Sequence, residues 1–118
     1  MVLDIQNDYL SNQARIPVAK HQIESILKGI NDLIRRAEIS NVPILYIRNE
    51  FERKQILSNI LRKFTALKAS KGAEMDKRLL KAEGVHFSKN KADAFSNPSL
   101  MKYLNNNGIH ELIVTGVL

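Results

Sequence analysis

An acid and an amine stand at the ends of two apolar runs in this 118-residue chain: Asp4 in Val2-Leu3-Asp4-Ile5, and Lys89 after Gly84-Val85-His86-Phe87-Ser88. A carboxylate at the end of an apolar run costs burial energy unless it is paired or hydrogen-bonded. Taken singly, Asp4 caps the loop that follows and Lys89 is a solvated surface amine. Two strands delivering both to one sheet edge would make them a pair. Asn7, Asp8 and Asn49 are candidates either to hydrogen-bond a substrate or to hold the loop, and Phe95 either walls a pocket or packs in the core. His21, His86 and His110 are far apart and read as packing or surface residues. The chain has no cysteine, which excludes disulfides, Cys-ligated metal and a Cys nucleophile for these 118 residues.

The elements that must position these residues alternate. Val2, Leu3 and Ile5 form a short strand ending at Gln6-Asn7-Asp8. From Val18 to Ala37, the residues Ile23, Ile26, Leu27, Ile30, Leu33, Ile34 and Ala37 recur at three- and four-residue spacing, which predicts an amphipathic helix behind Pro17. Asn41-Val42-Pro43 ends it, and Ile44 to Ile47 is a second strand, so the unit is βαβ with parallel strands. Phe51, Ile56, Leu57, Ile60, Leu61, Phe64 and Leu67 have helical spacing and predict a helix from Phe51 to Leu67. Gly84 to Ser88 is a third strand with Lys89 at its end. Asn97-Pro98-Ser99 starts a helix that stops near Asn107-Gly108. Leu112 to Gly116 is a fourth, buried strand. The pattern predicts an α/β fold: a doubly wound, Rossmann-like parallel sheet with helices on both faces, whose ligands bind outside the carboxyl ends of the strands. Asp4, Lys89 and the Thr115-Gly116 turn fall at that edge.

The composition, 44% apolar and 25% charged, is that of a globular domain. No run reaches the roughly 18–20 apolar residues of a membrane span, and the opening residues do not form a signal peptide, so a cytoplasmic protein with no membrane partner is expected. The net charge of +6 raises the possibility of nucleic acid. The densest basic region, Arg53-Lys54 through Arg62-Lys63 to Lys68 and Lys71, lacks the interleaved aromatics of a stacking platform and reads as the solvated face of a helix. No nucleic-acid partner is expected.

Five strings carry a resemblance: LDIQNDYL at 3–10, NVPILYIRNE at 41–50, KGAEMDKRL at 71–79, KNKADAFSNPSL at 89–100 and YLNNNGIHELIVTGV at 103–117. Collinear over nearly all of the chain, they resemble the isochorismatase-like cysteine hydrolases. The resemblance implies a catalytic triad of the strand-end Asp, the Lys six residues before the Phe of an Ala-Phe pair, and a Cys just beyond the Gly-Val turn. These fall on Asp4, on Lys89 read against Phe95, and on a position past Leu118; Lys91 has the wrong spacing. It further implies backbone oxyanion donors at Gly116, Val117 and Leu118; the candidates to touch a substrate beside them are Asn7, Asn49 and Phe95. The metal-binding amidases of the family carry an Asp/His cluster where this chain has Arg48-Asn49-Glu50-Phe51, so no metal and no other cofactor is expected.

The implied activity is hydrolysis of an amide or related C–N bond of a small molecule, with Lys89 stabilising a thiolate and Asp4 moving its proton. A minority of the family lacks the Cys and uses the Asp as a general acid on an enol ether. Measured against the family, residues 1–118 are expected to be a single domain, incomplete at both ends. A fourth strand left as an open edge and the helix from Phe51 to Leu67 both favour a homo-oligomer. The alternative is a non-catalytic family member acting as an oligomerisation or binding partner.

Overall fold

The computed structural model describes residues 1–117. Its elements in chain order are β1 (Val2–Leu3), α1 (Asn7–Leu10), α2 (Lys20–Ile39), β2 (Leu45–Asn49), α3 (Ile56–Leu61), β3 (Val85–Lys89), α4 (Pro98–Asn106) and β4 (Thr115–Gly116), with 3₁₀ turns at Lys71–Ala73 and Ala94–Ser96. The four strands form one sheet in the order β3-β2-β1-β4, and every pair is parallel. The chain therefore runs outward from β1 to β3 and then returns to the other side of β1. That reversal places a topological switch point between the carboxyl ends of β1 and β4, where ligands bind in sheets of this kind.

Alternation along the strands sorts the core into two layers. On one face Val2, Ile44 and Tyr46 pack with Ile23, Leu27, Ile30 and Ile34 of α2. On the other, Leu3, Leu45 and Ile47 pack with Ala94 and with Leu100 and Leu104 of α4. The expected three-layer α/β/α arrangement is thus present. The apolar stripe read from the sequence is the one α2 buries. Helix α4 starts as its sequence dictates: Asn97 accepts a bond from the Ser99 N–H and Pro98 takes the first helical position. It ends at Gly108 with φ +59°, a conformation in which only glycine avoids a Cβ penalty.

Two expectations need correction. The helix from Phe51 to Leu67 shrinks to the six residues of α3. Lys63, Phe64 and Ala66 have φ of +52°, +56° and +48°, which ends the helix and folds the chain back so that Phe51 pairs with Leu67 in a parallel bridge. The Phe51 N–H donates to the Ala66 carbonyl and the Lys68 N–H donates to the Phe51 carbonyl. The fourth strand is likewise only Thr115–Gly116, and Ile113 and Val114 are exposed. Its partner β1 is itself two residues long, so the ladder ends where that partner ends.

Candidate active site

Strand β1 stops at Leu3 because Asp4 turns left-handed, with φ +59°. Asp is among the few side chains that adopt this region readily. The Asp4 N–H donates to the Ile47 carbonyl at 2.9 Å, and the Asp4 carbonyl accepts from the Gln6 N–H at 2.8 Å. Strand β3 supplies Lys89 in register with Asn49 of β2. Strand β2 lies between β1 and β3, so an Asp4–Lys89 contact must cross the end of β2. It does so: Lys89 Nζ lies 2.9 Å from Asp4 Oδ2, with the two side chains 5% and 8% exposed. Lys89 Nζ also donates to the Ala92 carbonyl at 2.7 Å.

Asn49 closes β2 beneath this ion pair. Its backbone is held on both sides by Gln6, whose Oε1 accepts from the Asn49 N–H at 2.7 Å and whose Nε2 donates to the Asn49 carbonyl at 2.8 Å. Gln6 Nε2 donates again, to the Ala73 carbonyl at 2.7 Å. Asn49 Nδ2 donates to the Tyr9 hydroxyl at 3.1 Å. Two buried acceptors, Asp4 Oδ1 and Asn49 Oδ1, have no hydrogen-bond partner among the described residues. Orphaned acceptors in a dry site are costly and are suited to a ligand that donates hydrogen bonds.

Burial pushes the Asp4 carboxyl above its ordinary value, against the opposing pull of Lys89 and, more weakly, of the Asn49 N–H groups beside it. Desolvation is thus the stronger influence even with an ammonium in contact. Tyr9 is pushed up to about 12 by burial and then by the charge of Asp4. Its hydroxyl therefore stays protonated at neutral pH and can donate as well as accept.

The remaining expected residues divide. Asn7 directs its amide to the Lys71 carbonyl at 2.8 Å, which pins the loop after β1 to the segment before β3. Asp8 is buried and accepts from the Ala66 N–H at 2.8 Å; a Cβ at Gly72 would come within 2.0 Å of its Oδ2. Both act here as loop clamps. Phe95 is 45% exposed and directly precedes Ser96 and Asn97, which with Glu50, Glu52, Lys68, Ser88 and Lys89 wall a polar cavity of about 300 Å³.

At the end of β4, Gly116 has φ +150°, and a Cβ there would lie 2.1 Å from the Leu3 carbonyl oxygen. Only glycine lets β4 approach β1 this closely. The Val117 N–H donates to that same Leu3 carbonyl at 3.2 Å, within the ladder that joins β4 to β1. Leu118 lies outside the described residues. No group of three or more His, Cys, Asp or Glu side chains arranged for a metal occurs among the described residues.

Sequence reasoning missed Gln6 and Tyr9. Gln6 sits in a stretch whose composition reads as a turn, and its only signal is a position two residues past Asp4 beside the apolar Ile5. Tyr9 has no signal beyond its place in the 3–10 string.

A model of the isochorismatase domain matches residues 1–118. Among solved structures, an isochorismatase-like hydrolase from Alkaliphilus metalliredigens has a TM-score of 0.81 at 23% identity, covering 99% of this chain and 65% of that one. The N-carbamoylsarcosine amidase of Thermoplasma acidophilum has a TM-score of 0.81 at 18% identity, covering 98% and 64%. A cysteine hydrolase from Pseudomonas syringae pv. phaseolicola has a TM-score of 0.84 at 20% identity, covering 99% and 57%. The chain thus spans less than two thirds of the length of each of these proteins, and at such identities the likeness establishes the fold. No curated protein matches. With the family model matched from the first residue to the last, the chain belongs to the isochorismatase domain family.

Proposed function

We propose that this chain carries the Asp-Lys part of a hydrolase that cleaves an amide or related C–N bond of a small molecule, with the nucleophilic thiol coming from a cysteine outside the 118 residues. The observation that supports this reading is the buried Asp4–Lys89 pair at 2.9 Å, held across the carboxyl end of β2. Asp4 takes the thiol proton, the thiolate attacks the carbonyl carbon, and the C–N bond breaks as Asp4 returns that proton to the leaving nitrogen. Water then hydrolyses the thioester. A carboxyl raised by burial suits this exchange better than an ordinary carboxylate, because its affinity for the proton is closer to what neutral pH requires. Lys89 favours both the thiolate and the ionised Asp4. Asn49 and Tyr9 orient the substrate through Asn49 Oδ1 and the Tyr9 hydroxyl. Phe95 and Asn7 belong to the outer wall and its support, and the oxyanion is met by backbone N–H groups of the Gly116-Val117-Leu118 turn.

In this reading residues 1–118 belong to one cytoplasmic domain that assembles with copies of itself through the outer edge of β4. The absence of cysteine from the 118 residues favours a second reading, a non-catalytic family member that pairs with a complete one. The test is an intact-mass measurement and thiol count on the native protein, followed by turnover of a panel of small primary amides. A thiol-bearing form that turns over an amide and loses turnover in Asp4→Asn and Lys89→Ala, with its fold retained, supports the hydrolase. A native mass of 13.4 kDa without a thiol leaves the second reading. Near-normal rates in both variants of an active form overturn the site assignment.

A further inference from the structure

Helix α3 is built inside out. Asn59 is its one buried residue; Asn59 Nδ2 donates to the Glu52 and Arg53 carbonyls at 3.0 and 3.3 Å. Its large apolar side chains face solvent: Leu57 and Leu61 are 81% and 86% exposed, and Ile56, Ile60 and the following Phe64 are exposed as well. A contiguous set of this kind marks an interaction surface far more often than single exposed leucines do. The surrounding charge is of one sign. Residues 53–73 contain six lysines and arginines and no aspartate or glutamate. Of the six, Arg62 stacks over the Phe51 ring at 4.1 Å and Lys68 is tied to Glu52 at 3.0 Å. Arg53, Lys54, Lys63 and Lys71 are exposed and pair with no acid among the described residues.

We propose that this patch is a docking surface for an anionic lipid bilayer. The apolar residues of α3 would enter the boundary between headgroups and acyl chains while Arg53, Lys54 and Lys63 meet the lipid phosphates. Charge selects this occupant. A second copy of the chain meeting this patch about a two-fold axis would bring its cations against themselves, with no acid between residues 53 and 73 to offset the repulsion. A bilayer rich in acidic headgroups offers both an apolar phase and the opposite charge. Surface docking of this kind is independent of a membrane-spanning segment; no helix of the described residues is long and apolar enough to cross a membrane. It is also independent of the hydrolase reading, and it revises the expectation of no membrane partner.

The test is co-sedimentation of the 118-residue chain with vesicles of phosphatidylcholine alone and of phosphatidylcholine mixed with phosphatidylglycerol. The expected result is binding to the mixed vesicles tighter by on the order of a hundredfold, from three cations at the surface, and weakened by added salt. Leu57→Glu with Leu61→Glu should reduce that binding by at least about tenfold, through lost apolar burial and added negative charge. Both side chains are solvent-facing, so an unchanged circular dichroism spectrum is expected. Arg53→Gln with Lys54→Gln and Lys63→Gln should abolish the preference for the anionic lipid. Equal binding to both vesicle types, no binding, or binding indifferent to the Leu57/Leu61 substitutions overturns the proposal. A dimer in solution without lipid that the same two substitutions dissociate also overturns it, and assigns the patch to a second copy.

Discussion

The segments that leave β1 and β2 start from the same edge of the sheet and treat their side chains in opposite ways. After β1, polar groups go inward and nearly all find partners: Gln6 makes three bonds of 2.7–2.8 Å, and Asp8 accepts from the Ala66 N–H at 2.8 Å. After β2, one asparagine goes inward while a row of aliphatic side chains goes out. The first segment is a polar network closed on itself, which fixes the position of Asp4. The second is tied to the body through the Phe51, Ala66 and Ala73 cluster and the Ala66 N–H bond to Asp8, and turns the apolar face of α3 to solvent. Buried polar groups with hydrogen-bond partners are concentrated around Asp4, and exposed apolar surface lies on a different loop.

The largest effect should come from breaking the ion pair within the rigid segment. Lys89→Met leaves Asp4 buried without its cation, a loss of about 3–5 kcal/mol for a buried pair broken on one side, read by urea unfolding at neutral pH. The pH dependence gives a sharper test. Asp4 already titrates above its ordinary value of 3.8 in the folded protein, so the folded state holds its proton more tightly than the unfolded one. Its contribution to stability is therefore fully present below the unfolded value and is lost as pH rises through the folded one. Without Lys89 the folded value rises further and the loss extends over a wider range. The variant's deficit should shrink as pH falls toward the unfolded value; a deficit constant with pH would show that Asp4 is not the group left uncompensated.

Gln6→Ala should rank second. It removes three hydrogen bonds and strands the Asn49 N–H, the Asn49 carbonyl and the Ala73 carbonyl, at a cost of about 3 kcal/mol for buried groups left unpaired. Chemical denaturation measures it. A loss below about 1 kcal/mol would mean that water replaces the side chain and the network is less closed than its geometry.

How much of this was legible in the sequence differs between the same two segments. The stripe of Ile23, Leu27, Ile30 and Ile34 announced α2 and its buried face, and Asn97-Pro98 announced the start of α4. Both signals are local, and local periodicity is what a sequence states most directly. The Asp4–Lys89 pair was legible as two strand-end residues, but their contact across β2 depends on the left-handed turn at Asp4, which nothing local requires. Helix α3 shows the deeper limit. The spacing of Ile56, Leu57, Ile60 and Leu61 correctly says that they share a surface, but periodicity does not say whether that surface faces the core or the solvent. Asn59 decides it by bonding to the Glu52 and Arg53 carbonyls.

Asn59→Ala tests that decision, with a smaller expected effect. It loses two bonds, and it also removes a buried Oδ1 that has no partner among the described residues, so the two changes partly offset each other. A net loss of about 1 kcal/mol is expected, visible as faster amide exchange across Ile56–Leu61 before any change in β2.

The smallest effect is expected where an ordinary helix would show the largest. Leu61→Ser removes a leucine from the apolar row of α3, and at a core position such as Leu100 truncation to alanine would cost about 2–5 kcal/mol. Leu61 is 86% exposed, so its side chain gives up almost no contact with water on folding and the loss should stay within about 0.5 kcal/mol. Measuring Leu61→Ser beside Leu100→Ala under one set of denaturation conditions sets the two helices against each other directly. A loss at Leu61 approaching that at Leu100 would mean that α3 turns its apolar row inward in solution, and the contrast between the two segments would disappear with it.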